Sequence, residues 1–105
     1  LEYLSKEMWR TAMALSIEAP GTRNGQRYSA LDDRLAQQVM DLVRALQTRG
    51  EVDASHDSEA LGTLLFNNLN QNFIDFVKED AMTLETLRQR VARQTGPVAA
   101  MISAY

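Results

Sequence analysis

Asp53, His56 and Asp57 form the one cluster in this sequence with the residue types of a metal site. They sit close together on a polar link between two helical segments, where a solvated turn and a helix cap account for them more simply than a bound ion. A single histidine also limits acid–base chemistry, because a Ser or Thr nucleophile needs a His and a carboxylate converging on it, and no spacing here brings them together. The paired carboxylates Asp32-Asp33 and Glu79-Asp80 fall near expected helix ends in polar surroundings. There they should ionise normally and support the helix dipole or solubility. Arg88, Arg90 and Arg93 are spread around one helix with Glu85 close to Arg88, which fits rim charges of a bundle better than an acidic or nucleic-acid partner. No catalytic centre and no cofactor or metal site is therefore expected, and the chain does not read as an enzyme.

Two further groups could serve binding. Met8, Trp9, Met13, Met40 and Phe66 are of the kind that line adaptable apolar cavities, although the same side chains serve equally as ordinary core. Asn67, Asn68, Asn70, Gln71 and Asn72 make a row of amides on an otherwise apolar helix. Any that are buried need hydrogen-bond partners. Asn70 or Asn67 is suited to bond a molecule held inside, with most of the row forming a solvated stripe.

The elements that must carry these groups are helical throughout. Leu1, Leu4, Met8, Trp9, Ala12, Met13, Leu15 and Ile17 recur in threes and fours up to a stop at Ala19-Pro20-Gly21. From Pro20 to Tyr28 the composition predicts an exposed loop with an Asn24-Gly25 turn. A second helix is expected over about 29–49, capped by Ser29, with Asp32 and Asp33 in its first turn and Gly50 as its stop. Its stripe is Leu31, Leu35, Val39, Leu42, Val43 and Leu46, flanked by Met40. The third, about 57–79, carries Leu61, Gly62, Leu65, Phe66, Leu69, Phe73, Phe76 and Val77 over roughly 160°, broad enough to require two packing surfaces. Gly62 marks a close helix crossing. The fourth starts near Thr83 and sets Leu84, Leu87, Val91, Gln94, Val98, Met101 and Tyr105 in a short heptad seam, with a kink expected at Gly96-Pro97.

Composition limits what such a bundle does. At 105 residues the chain is a single domain that leaves much apolar surface near solvent unless a partner covers it. A net charge of −3 and a pI near 5.0 argue against this segment gripping a phosphate backbone. The absence of cysteine rules out disulfides and thiolate sites and fits a cytoplasmic protein. No apolar run approaches the ~18–20 residues that span a bilayer, and no signal peptide opens the chain. The start, Leu1-Glu2-Tyr3-Leu4, lacks an initiator Met and already runs in helical rhythm, so the chain is expected to lie within a larger protein.

Trp9-Arg10-Thr11-Ala12-Met13-Ala14-Leu15, the run from Val43 to Gly50 with Glu51-Val52, Asp57-Ser58-Glu59-Ala60-Leu61-Gly62 and Thr83-Leu84-Glu85-Thr86-Leu87 together carry a family resemblance. In order and length these segments resemble the ligand-binding and dimerisation domain of tetracycline-repressor (TetR) family transcriptional regulators, over essentially the whole chain. Asn67-Asn68-Leu69-Asn70 departs from it, standing where many members have Gly and small apolar residues. The resemblance implies an all-α, antiparallel helical bundle whose two C-terminal helices form a four-helix interface in a homodimer. That interface would use Leu61, Gly62, Leu65, Leu69, Phe73, Leu87, Val91, Gln94, Val98 and Met101. It also implies a small, largely apolar effector bound near Met8, Trp9, Met13, Met40, Phe66 and Asn70, and operator DNA read only by an N-terminal helix-turn-helix domain that this chain lacks. The alternative is a helical dimerisation or protein-docking module with a filled interior and no small ligand.

Overall fold

Short polar side chains decide where the helices begin. The computed structural model is a four-helix, all-α bundle made of α1 (Glu2–Glu18), α2 (Arg23–Thr48), α3 (Ser58–Lys78) and α4 (Leu84–Ile102). It describes residues 2–105, with side chains from Lys6 onward. Leu1 and the side chain of Leu4, counted above in the first apolar stripe, lie outside the described residues. Asp57 caps α3 by accepting from the amides of Glu59 and Ala60 at 3.0 and 3.1 Å, and Thr83 caps α4 by accepting from Thr86 at 3.1 Å. Gly50 ends the α2 region in the left-handed conformation, with φ 78°, while the amides of Gly50 and Glu51 close back onto Gln47 and Leu46.

The expected loop over residues 20–28 is the clearest correction. Helix α2 starts at Arg23, six residues before Ser29, because Thr22 caps it by accepting from the Gly25 amide at 3.2 Å. Asn24-Gly25 is thus the first turn of a helix. The glycine is required by a close approach: a Cβ there would lie 2.6 Å from the Ala19 carbonyl oxygen and 2.9 Å from that of Leu15. Asp32 and Asp33 consequently sit well inside α2, beyond the first turn where the dipole favours negative charge. Helix α4 runs through Pro97 to Ile102. Arg93, whose carbonyl loses its partner there, and Pro97 are both exposed, so water is available to that carbonyl.

Helix α3 is the hub. Gly62 meets α2 so closely that an added Cβ would come within 2.6 Å of the Met40 Cα, which realises the crossing expected from the sequence. From α1, Lys6 is 1% exposed and donates from Nζ to the carbonyls of Glu79 and Met82 at 2.5 Å, with its ammonium 4.1 Å from the centre of the Phe76 ring. Arg10 adds bonds to the Val77 carbonyl at 3.1 Å and to the Asp80 carboxylate at 2.8 Å. These two cations satisfy carbonyls at the C-terminal end of α3, where the dipole favours positive charge. On its other side α3 meets α4, through Asn72 Nδ2 donating to Gln94 Oε1 at 2.6 Å and Arg90 lying 3.7 Å from Asp75. Both sides of the broad apolar arc are therefore met by helices of the same chain.

What remains is thin. Val43, Val52, Phe76 and Val77 are the buried hydrophobics among the described residues. The far end of α4 is held by an antiparallel bridge between Val52 and Ser103, in which the Asp53 amide bonds to Ile102 and that of Ala104 to Glu51. The bundle measures 42 × 32 × 18 Å with a radius of gyration of 15.7 Å, against about 13 Å for a compact domain of this length. Its accessible surface is 7273 Å², against about 5,900 Å² expected for its mass.

Candidate ligand cavity

Between the two ends of the bundle the helices stand slightly apart, and aromatic rings line the gap. Trp9 of α1 lies edge-on to Tyr28 of α2, with centroids 5.9 Å apart, and edge-on to Phe73 of α3 at 5.5 Å. Phe73 in turn leans on Phe76 at 6.4 Å. The antiparallel register set by Met40 on Gly62 brings the first half of α2 alongside the second half of α3. The result is a cavity of about 270 Å³ lined by Trp9, Tyr28, Leu31, Asp32, Leu35, Phe66, Leu69, Asn70 and Phe73, with Leu87 of α4 at its rim. All four helices contribute. The lining is almost wholly apolar.

Four of the lining residues carry a polar group: Asp32, Tyr28, Asn70 and Trp9. Burial raises the Asp32 carboxyl above the ordinary carboxylate range, and the neighbouring Asp33 raises it further. Burial also raises the Tyr28 phenol, with the Asp32 charge adding to the effect. The expectation that Asp32 ionises normally is thereby corrected, since it lies among the residues of the cavity wall and not in the first turn of a helix.

Of the residues assigned to an effector site from sequence, Trp9, Phe66 and Asn70 meet here. Met8 does not: it is 72% exposed on the outer face of α1, in an open apolar groove with Glu7, Thr11, Ala12, Leu15 and Asn24. That groove is larger, about 450 Å³, but it has no aromatic ring and cannot surround a ligand. Met40 is spent on the Gly62 crossing, and Met13 is half-buried without reaching the cavity. The sequence reading overlooked Tyr28, Leu31, Asp32, Leu35, Leu69, Phe73 and Leu87 as lining. Tyr28 and Asp32 would have stood out, one turn apart on the face of Leu31 and Leu35, had the helix been started at Arg23.

The residues assigned to a dimer interface divide similarly. Gly62 is covered by Met40, while Leu69 and Phe73 turn toward the cavity. Leu61, Leu65, Leu87, Val91 and Val98 are half-buried, and Gln94 is engaged by Asn72. Met101 remains 74% exposed. Of the amide row, Asn72 is buried and donates to both Gln94 and the Asn68 carbonyl, Asn70 faces the cavity, and Asn67 and Gln71 are exposed. In the link before α3, Asp57 is a cap and Asp53 accepts from the Ser55 amide at 2.9 Å, a bond that lowers its carboxyl below the usual range.

Compared with known protein families, curated proteins and solved structures, the chain matches none of them. No helix among the described residues is long and apolar enough to cross a membrane.

Proposed function

We propose that this chain is an effector-binding and dimerisation domain of the TetR type, which holds a small, largely apolar molecule among its helices and transmits occupancy to a DNA-reading domain outside this chain. The observation that carries the reading is the aromatic cavity to which all four helices contribute. A molecule bound there would touch every element at once and so favour one relative arrangement of the helices over another. Its influence equals its difference in affinity for the two arrangements. The extended shape and excess surface support a second copy, since the difference of roughly 1,400 Å² exceeds the ~800 Å² that one partner contributes to a standard interface.

The partner-facing surface is best assigned to the exposed side of α3 and α4. Asn72 with Gln94, and Asp75 with Arg90, set an antiparallel register that puts Leu64 level with Met101. These side chains are 61% and 74% exposed, an apolar pair at one end of the helix pair. The same pair favours the alternative of a docking module without ligand, which the open cavity makes the weaker choice.

Native mass spectrometry of the full-length protein purified from its own cells tests the reading. The expected result is a dimer carrying a small retained mass that denaturation releases. A bare monomer that no added compound stabilises thermally would remove it.

A further inference from the structure

We propose that the cavity selects an organic cation, a small molecule with an aromatic or aliphatic body and an ammonium group that Asp32 neutralises. This rests on the cavity being an effector site and goes on to specify the charge of the effector. Asp32 is the sole charged residue in the lining, and among the described residues it has no ion pair and no side-chain hydrogen bond. Around it stand the rings of Trp9, Tyr28, Phe66 and Phe73, whose faces carry the partial negative charge that attracts cations. The protein already uses this interaction once, where the Lys6 ammonium sits 4.1 Å from the centre of Phe76.

Each competing ligand class fits worse. An anion would meet a like charge without a compensating Lys or Arg, and a neutral hydrocarbon would strip water from the carboxylate while offering it nothing. A cation supplies the missing partner and is drawn in by the chain's net charge of −3. The volume of about 270 Å³ lies at the lower edge of the ~300–1,000 Å³ usual for ligand sites, which restricts the guest to roughly benzylammonium size.

The test compares two probes of the same shape, benzyltrimethylammonium and neopentylbenzene, in which a quaternary nitrogen is replaced by carbon. Trp9 is the one tryptophan, so its fluorescence reports occupancy directly. The cation should bind at least about ten-fold more tightly than the hydrocarbon, and Asp32→Asn should abolish that preference by weakening the cation and not the hydrocarbon. A second readout needs no variant: binding of the cation, but not of the hydrocarbon, should weaken as acid protonates Asp32. Of the other groups facing Asp32, α1, α3 and α4 present Trp9, Asn70 and Leu87, which do not titrate in acid, and Tyr28 is a phenol raised further by burial; Asp33 is the one other nearby acid, and its share is whatever pH dependence survives in Asp32→Asn. Equal binding of both probes, or a preference that survives Asp32→Asn, would overturn the charge assignment and leave the cavity as an effector site. Failure of both probes to bind would overturn the effector site as well.

Discussion

Two ionisable side chains show how strongly burial changes the role of a common residue. Lys6 would read as a surface lysine in any helical pattern, yet its ammonium is enclosed by the carbonyls of Glu79, Asp80 and Met82 and the face of Phe76. Lys6→Met should therefore cost about 2 kcal/mol in urea unfolding, the scale of a lost hydrogen bond to a charged group. Asp32 is the opposite case. Its carboxyl is held above the ordinary range, so the folded state binds that proton more tightly than the unfolded chain does. Stability then falls as pH rises from the unfolded pKa toward the folded one, and levels off above it. Asp32→Asn should accordingly raise the melting temperature at pH 7, with the gain vanishing by about pH 3, where both forms are uncharged. A variant that is stabler yet no longer prefers cations would mark Asp32 as kept for binding at a cost in stability.

At the scale of elements, what could be read from the sequence followed local chemistry. Asp57, Thr83 and Gly50 announce their helix boundaries because a cap needs only neighbours within four residues, and Gly62 announces a crossing because nothing else excuses a glycine in mid-helix. The start of α2 was hidden for the opposite reason. Asn24 and Gly25 are turn formers by local preference, and the tight corner of Gly25 against Leu15 and Ala19 makes them helical. Without that corner Tyr28 counts as loop and Asp32 as a first-turn charge, which hides one wall of the cavity. The methionines misled because thioethers suit core and cavity equally, and only the tertiary arrangement separates Met40 from Trp9. Gly62→Ala should test the crossing: a gain of ~1 kcal/mol in helix propensity is outweighed by a clash with the Met40 backbone, for which overpacking costs of about 1–3 kcal/mol are usual. A net loss in chemical denaturation is expected, with the larger Gly62→Val worse still.

For the whole molecule, the shortage is one of thickness. The sides of α3 are met within the chain, but the bundle stays flat and leaves Leu64, Leu84 and Met101 in water. Leu64→Glu combined with Met101→Glu should shift a dimer to monomer in sedimentation at micromolar concentration while leaving helicity intact, because neither side chain supports the core. Phe73→Glu should instead unfold the domain, as its ring packs on Trp9. One fastening has a mechanical corollary. Helix α4 is anchored at its beginning by the carbonyl knot around Lys6 and at its far end by the Val52–Ser103 bridge. Sliding it along α3 by a single residue would break the bridge and the Asn72–Gln94 bond together. Rolling it about its own axis would carry Gln94 away from Asn72 and Arg90 away from Asp75, so this helix is locked against turning as well as against sliding.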